Sequence, residues 1–192
     1  LFDKLGEVLP ELSKSIIEHQ LSEPDPKPPK GPFQIESQRR LGIKLMKMLG
    51  FDFDKGRLDE SLHPFSGGAP DDLRITNRYD EDDFISGLMG ILHETGHALY
   101  EKGLPKKWRH QPVGKARGMA IHESQSLLIE MQACRSLEFF TYASPLIQKF
   151  FNQSGPEWEA ENLYRNFTRV RPGPIRVEAD EVTYPLHVIL RY

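Results

Sequence analysis

The chain has 192 residues, of which 38% are hydrophobic and 28% charged, and its formal net charge is −3. This composition is ordinary for one globular domain with a substantial core, and the charge gives no electrostatic attraction to nucleic acid or to an anionic membrane. No apolar run reaches the length of about 18 residues that is needed to span a bilayer. From the charge and the absence of such a run, we predict neither a nucleic-acid partner nor a membrane partner.

The single cysteine, Cys134, excludes an internal disulfide framework and fits a reducing compartment. No secretory signal is visible, and we therefore predict a cytoplasmic protein. The chain begins at Leu1 rather than methionine and ends within a helical pattern. We expect residues 1–192 to form a single, partial domain of a longer protein.

The N-terminal part is predicted to contain two helices joined by a connector. Apolar residues recur at helical spacing over residues 1–21, which favours an amphipathic helix with a bend near Pro10. Residues 22–32 contain five prolines and can form neither a helix nor a central strand. The core segment, residues 33–192, then opens with a helix over residues 33–50.

Residues 51–80 are rich in glycine, proline and aspartate and contain one alternating segment with β-branched residues. That segment predicts a small β-strand region near residues 72–79. Asp72, Arg74 and Thr76 lie two positions apart and are expected to share one face of the strand.

A helix that carries two histidines is predicted from Asp82 to Gly103. Apolar residues recur at helical spacing within it and define one buried stripe. Acidic residues at its start, and Lys102 before a glycine at its end, suit the helix dipole and a glycine stop. His93 and His97 fall almost opposite the apolar stripe, so we expect them to face solvent or a cleft.

His93, Glu94 and His97 have the spacing of the H-E-x-x-H pattern. Two imidazoles four residues apart lie on one helical face, with Cβ atoms about 6 Å apart, and can bind one Zn²⁺. Glu94 can then reach a water on the metal without being a ligand. The alternative is a solvated polar face with two surface histidines.

A second long helix, residues 119–140, is predicted after a 16-residue polar connector. Shorter helices are predicted at residues 144–153 and 156–168, the latter opened by Pro156. Most apolar side chains of the long helix are expected to face inward. These are Ile121, Leu127, Leu128, Met131, Leu137 and Phe140.

A catalytic zinc needs a third protein ligand and one open position. The metzincin continuation is excluded, because Tyr100 and Gly103 stand where it requires glycine and histidine. Glu123 on the second helix is the natural candidate, since the connector lets the two helices pack side by side. His122 is its nearest competitor but points about 100° away, and a purely structural role of Glu123 stays open.

A last helix is predicted from Pro174 to the C-terminus, with a kink before Pro185. Polar side chains three or four residues apart would form one stripe along it, although a fully solvated face would have the same pattern. The stripe contains Arg176, Asp180, Tyr184, His187 and Arg191.

Five motifs follow one another along the chain: HPF at 63–65, D-x-R-x-T at 72–76, HETGH at 93–97, HESQ at 122–125 and IRVEADE at 175–181. Together they make the chain resemble the carboxypeptidase Taq family of zinc metallocarboxypeptidases. The resemblance covers about residues 33–192. It implies a mainly α, helical zincin-like metallopeptidase with an HExxH helix, a second Glu-bearing helix and a catalytic domain considerably longer than this chain.

Carried over by motif position, the resemblance implies His93, His97 and Glu123 as ligands of Zn²⁺ or Co²⁺, with Glu94 as the general base. It implies an enzyme that removes single C-terminal residues, with broad specificity, from peptides with a free C-terminal carboxylate. It also implies a homodimer for the full-length parent protein.

The polar stripe of the last helix suggests substrate contacts. A guanidinium at Arg176 could grip the substrate carboxylate in a bidentate manner. Tyr184 or His187 could donate to the oxyanion that develops beside the metal. Asp180 is expected to orient these side chains without contacting the metal or the substrate itself.

The HPF and D-x-R-x-T motifs are interpreted as a loop and an edge strand that line the cleft, where a peptide could add as a further strand. His63 and Arg74 would then contact substrate. Asp72, His122 and Gln125 could instead orient the metal ligands from behind. An ion pair between Asp72 and Arg74 that only shapes the loop is an equally open alternative.

Two further alternatives stay open for the chain as a whole. One is a zinc oligoendopeptidase-like enzyme, which would cut peptides internally with a similar ligand set. The other is a non-catalytic helical fragment with two incidental histidines.

Overall fold

The computed structural model describes residues 1–174 and 179–191, and it is mainly helical with one small sheet, as predicted. Within these ranges no helix is both long and apolar enough to cross a bilayer. The elements, in chain order, are α1 Phe2–Ser22, α2 Ile35–Met48, β1 Gly56–Glu60, β2 Phe65–Ala69, β3 Asp72–Asn77, α3 Phe84–Gly103, α4 Met119–Leu127, α5 Leu137–Phe151, α6 Ala160–Phe167 and α7 Tyr184–Ile189. After Leu127, α4 continues as a π-helical segment, Leu128–Ala133.

The proline-rich connector lies along α6. Both backbone groups of Lys27 bond the side chain of Asn162, at 2.9 Å and 2.8 Å. Arg165 donates to the carbonyl of Pro24, and Arg169 pairs with Asp25. The connector is therefore ordered by side chains of the C-terminal part, and α1, which precedes it, packs against α7.

The sheet has three strands in the order β1-β3-β2. The β1–β3 pair is parallel and the β2–β3 pair is antiparallel. Our interpretation of residues 72–76 as an edge strand was wrong, because β3 is the central strand. The outer strands, with sequences GRLDE and FSGGA, lack the β-branched alternation that identified β3.

The faces of β3 are as predicted. Asp72 and Arg74 are exposed and Thr76 is half-buried, whereas Leu73 and Ile75 between them are buried. The buried face packs against α2 and α3 in a cluster that includes Met46, Phe51, Leu58 and Ile91.

α3 lies between two apolar clusters, which explains its central place in the fold. On one side it contacts the sheet cluster, and on the other an aromatic-rich cluster with Phe84, Phe140 and Trp158. Gly103 is the last residue of the helix rather than the residue after it, and Leu104 follows.

Asp83 caps the N-terminus of α3. Its Oδ1 accepts hydrogen bonds from the backbone N–H groups of Ile85 and Ser86, at 3.0 Å and 3.2 Å. We expect Asp83→Ala to lower the free energy of unfolding by about 1 kcal/mol. Urea denaturation checks this, with Asp82→Ala as the control that removes the same charge from the exposed neighbouring position. Equal losses in the two variants would show that the cap contributes nothing.

The single helix predicted over residues 119–140 is in fact interrupted. The chain leaves the π-helical segment at Cys134, and Ser136 caps a new helix by accepting a hydrogen bond from the N–H of Phe139 at 3.1 Å. The expectation that Ile121, Leu128 and Leu137 face inward was also wrong, since they are 47%, 47% and 39% exposed. Of the other predicted inward side chains, Leu127 is half-buried, and Met131 and Phe140 are buried.

The last helix is much shorter than predicted. Among the described residues near the C-terminus only Tyr184–Ile189 is helical, and Pro185 lies in its first turn, where a missing N–H costs no intrahelical bond. Asp180 precedes the helix and is buried, and it accepts hydrogen bonds from the N–H groups of Arg171, Val182 and Thr183. The predicted continuous stripe along one helix therefore does not form at Asp180, and Arg176 lies outside the described residues.

Candidate metal centre

α3 and α4 approach each other closely at Gly96. A Cβ atom at this position would lie 2.6 Å from Cα of Ser126 and 2.7 Å from the carbonyl oxygen of Gln125. Such contact is possible only without a side chain, so Gly96 sets the distance between the two helices. The turn of α4 that carries Glu123 is thereby held opposite the histidine-bearing face of α3.

This packing brings His93, His97 and Glu123 together. One donor atom from each lies within 4.8 Å of the others. Oε2 of Glu123 is 3.3 Å from Nε2 of His97 and 3.7 Å from Nε2 of His93. Tetrahedral ligands about 2.1 Å from a zinc ion are about 3.4 Å apart, so the three side chains fit one zinc ion with little adjustment.

The three side chains are partly covered rather than freely solvated. His93, His97 and Glu123 have 21%, 11% and 29% of their side-chain surface exposed. Coverage holds the ligands in place, and the remaining exposure leaves one side of the cluster open to a water or a substrate.

A chain of hydrogen bonds supports His97 from behind. Its Nδ1 is 2.7 Å from Nδ1 of His122, and Nε2 of His122 is 2.9 Å from a carboxylate oxygen of Glu101. Because a carboxylate only accepts, a neutral His122 donates from Nε2 to Glu101 and accepts at Nδ1 from His97. Nε2 of His97 is then unprotonated and directed at Glu123, as a metal ligand must be.

His122 thus contacts a candidate ligand, and its own partner Glu101 was not predicted. The spacing of Glu101 and His97, four residues apart on α3, is the signal that could have placed both on one helical face.

A different group lies behind His93. Its Nδ1 is 2.8 Å from Oε2 of Glu130, and Nη2 of Arg135 donates to the other oxygen of Glu130 at 2.9 Å. Neither Glu130 nor Arg135 was predicted. Glu130 follows Glu123 by seven residues, two helical turns, which is the sequence signal that places both on the same side.

Glu123 is held by two further groups. The hydroxyl of Tyr184 in α7 donates to its Oε1 at 2.9 Å, and Ser126 lies 3.4 Å from Oε2. When His97 and His93 are protonated, the hydrogen bond from His97, together with the charge of His93 and the Tyr184 hydroxyl, lowers the pKa of Glu123 to about 2 despite partial burial. The residue is therefore a carboxylate at neutral pH, as a ligand of a cation should be.

Glu94 differs from Glu123 in its environment. It is 8% exposed, and burial raises the pKa of its carboxyl more than the neighbouring charges of His93 and His97 lower it. The pKa of His93 is raised overall. Burial lowers this pKa, but the hydrogen bond and the negative charge of Glu130 raise it by more than burial lowers it. A carboxylate with a raised pKa is a better proton acceptor near neutral pH than an exposed one.

The other predicted site residues make contacts outside this cluster. Asp72 and Arg74 form an ion pair at 2.9 Å on the exposed face of β3, which is the geometry of the loop-shaping alternative. His63 is exposed, and its carbonyl accepts a hydrogen bond from Thr76. Gln125 lines a groove between α3 and α4, on the side of Gly96 and Leu128.

One residue of the predicted C-terminal stripe contacts the cluster. Tyr184 reaches Glu123, and His187 lies three residues later in α7 and is half-buried. Asp180 holds the turn before α7 through backbone N–H groups, so its contacts are with the loop.

The family model described as carboxypeptidase Taq (M32) metallopeptidase matches residues 1–192, which is the whole chain. The chain belongs to this M32 family. Its solved relatives include Trypanosoma cruzi metallocarboxypeptidase 1, which is 45% identical and superposes with a TM-score of 0.95 over 100% of this chain and 40% of the other. The M32 assignment agrees with the mainly helical fold and with the His93, His97 and Glu123 cluster.

Curated M32 relatives give the same picture. Thermostable carboxypeptidase 1 of Thermus thermophilus is 45% identical over 161 residues, which cover 83% of this chain and 31% of that protein. Carboxypeptidase 1 of Bacillus subtilis is 38% identical over 193 residues, or 100% of this chain and 38% of that protein. The chain therefore spans less than two fifths of the length of these curated relatives.

Proposed function

We propose that the protein carrying this chain is a zinc-dependent metallocarboxypeptidase that hydrolyses the C-terminal peptide bond of peptides with broad specificity. The observation that carries the proposal is the convergence of His93, His97 and Glu123 within 4.8 Å, with Glu94 between the histidines on the same helix. Membership of the M32 family, whose curated relatives are named carboxypeptidases, supports the choice of reaction.

His93, His97 and Glu123 would hold the metal through two imidazole nitrogens and one carboxylate oxygen, a donor set suited to Zn²⁺ and also to Co²⁺. A bound ion would supply Lewis acidity, polarising the scissile carbonyl and lowering the pKa of a water toward about 7.

Glu94 would act as the general base. Its carboxylate would take a proton from the attacking water and later deliver it to the leaving amine. The burial that raises its pKa brings its proton affinity closer to neutral pH, where such a transfer is most efficient.

Substrate contacts are proposed from the last motif and α7. Arg176 would bind the free C-terminal carboxylate of the peptide, which limits cleavage to the last peptide bond. Tyr184 or His187 would donate to the developing oxyanion, and for Tyr184 this requires a change of partner, because its hydroxyl bonds Glu123. Contacts of substrate with His63 or Arg74 have less support, since Arg74 is engaged by Asp72.

A cytoplasmic homodimer is proposed for the full-length protein. The support is the single, buried and unpaired cysteine, Cys134, which fits a reducing compartment, and the resemblance to dimeric family members.

The carboxypeptidase proposal is tested with a pair of peptides that differ only in a free or an amidated C-terminus. Loss of a charge-assisted hydrogen bond is worth about 1.5–3 kcal/mol, so we expect the amidated peptide to be cleaved about 10- to 150-fold more slowly. Metal content after dialysis is measured on the same preparation, with one zinc per chain expected.

Two outcomes would contradict the proposal. Equal rates with both peptides would indicate an endopeptidase with the same metal chemistry. Absence of stoichiometric metal, together with absence of hydrolysis, would leave only a non-catalytic helical protein.

A further inference from the structure

A buried ion pair stands directly behind one of the two histidines. Glu130 is 8% exposed and accepts hydrogen bonds through both of its oxygens, from His93 at 2.8 Å and from Arg135 at 2.9 Å. Arg135 is itself only 15% exposed and also donates to the carbonyl of Phe167 at 3.3 Å. The carboxylate is thus fixed at both ends.

The chemistry of these donors settles where the proton of a neutral His93 lies. Arg135 can only donate, and it occupies Oε1 of Glu130. Oε2 of the ionised carboxylate can only accept, so Nδ1 of His93 must be the protonated nitrogen. Nε2 then carries its lone pair toward Glu123, 3.7 Å away.

We infer that Glu130, anchored by Arg135, is a positioning residue that fixes the Nδ1–H tautomer of His93 and thereby raises the affinity of the centre for a divalent metal. The inference rests on the proposed function of His93, His97 and Glu123 as a zinc site. It extends that function to two side chains that touch neither metal nor substrate.

The two histidines differ in the groups behind them. His97 donates to the neutral ring of His122, whereas His93 donates to a carboxylate. A carboxylate partner makes an imidazole more basic than a neutral partner does. His93 would therefore be the stronger of the two nitrogen ligands, and the loss of its partner should be felt in metal affinity.

Glu130→Gln tests the inference because the amide has one acceptor and one donor side. With Arg135 present, the amide oxygen must face the guanidinium and the NH₂ group must face Nδ1 of His93. The proton of His93 would move to Nε2, the nitrogen that should bind metal. We expect a 10- to 100-fold loss of zinc affinity in competition with a chromophoric chelator.

A double variant separates positioning from simple structural damage. In Glu130→Gln combined with Arg135→Met, the guanidinium is gone and the amide is free to turn its oxygen toward His93. We expect this protein to bind zinc more tightly than Glu130→Gln alone, although it has lost one more native side chain. Glu138→Gln, at an exposed position in α5, is the matched control and should leave zinc affinity unchanged.

The tautomer is read directly from ¹⁵N NMR of the metal-free protein at a pH where the imidazole is neutral. We expect Nδ1–H on His93 in the unaltered protein and Nε2–H in Glu130→Gln. An Nε2–H signal in the unaltered protein would overturn the inference even if the variant failed to fold.

Failure of this inference and failure of the proposed function give different results. If the unaltered protein bound no zinc, the metal centre itself would be refuted. If it bound zinc, and Glu130→Gln bound it within twofold or the double variant bound it no better than the single one, only the role of Glu130 would be refuted.

Discussion

Replacing Glu94 with glutamine is expected to lower kcat for peptide hydrolysis by about 10²- to 10⁴-fold and to leave one zinc bound per chain. Glutamine has the same shape but cannot accept the proton of the attacking water. Glu94 is not part of the His93, His97 and Glu123 cluster, so its replacement removes no ligand.

The variant should also fold at least as well as the original protein. Burial raises the pKa of Glu94, which means that its ionised form is disfavoured in the folded state. For such a carboxyl the pKa is higher in the folded state than in the unfolded state. The free energy of unfolding therefore falls as the pH rises from the unfolded-state pKa to the folded-state pKa, and a neutral amide avoids that loss.

Steady-state kinetics with a free-acid peptide, metal analysis and thermal unfolding are measured together. Glu36→Gln, at an exposed position in the first turn of α2, serves as the control and should leave the rate and the metal content unchanged. A near-normal rate for Glu94→Gln would end its assignment as general base. Loss of metal would show instead that Glu94 is a ligand.

Gly96→Ala is expected to lower the free energy of unfolding by about 3 kcal/mol, at the upper end of the range for overpacked sites. The added Cβ would meet Cα of Ser126 and the backbone carbonyl of Gln125, and neither can move without moving α4. Because α4 carries Glu123, separation of the helices should also reduce zinc affinity more than tenfold.

Gly103→Ala is the matched control on the same helix, since a Cβ at that position would meet no atom outside its own stretch of helix within 4 Å. We expect it to be neutral or to stabilise the protein by up to about 1 kcal/mol through helix propensity. Urea denaturation and chelator competition report the two effects separately. If Gly96→Ala were as stable as Gly103→Ala, the helices would not be in the close contact described above.

Much of the helical framework could be predicted because its signals are local. The apolar period of α1, α2 and α3 identifies helices without knowledge of their neighbours, and four-residue spacing brings His93 and His97 together by helix geometry alone. The early turns of α4 were placed beside them from the length of the connector and from the HESQ motif.

The rest depended on contacts distant in sequence. β1 and β2 have little strand character of their own and form because β3 lies between them. The apolar spacing that predicted one helix over residues 119–140 continues across the break at Ser136. The break is recognised only from the structure, in which the Ser136 side chain caps α5. The partnership of Glu130 and Arg135 depends on the π-helical segment, whose wider turns shift side chains away from their α-helical positions.

The N-terminal helix contacts α7, and α7 carries a hydrogen-bond partner of the candidate metal centre. The connector is clamped to α6 by Asn162, and α1 rests on α7, whose Tyr184 hydroxyl lies 2.9 Å from Glu123. Removal of the first 32 residues should therefore weaken the packing of α7, which carries Tyr184. None of the removed residues is among the candidate metal ligands. We therefore expect residues 1–32 to act as a brace for the Glu123 side of the candidate cluster.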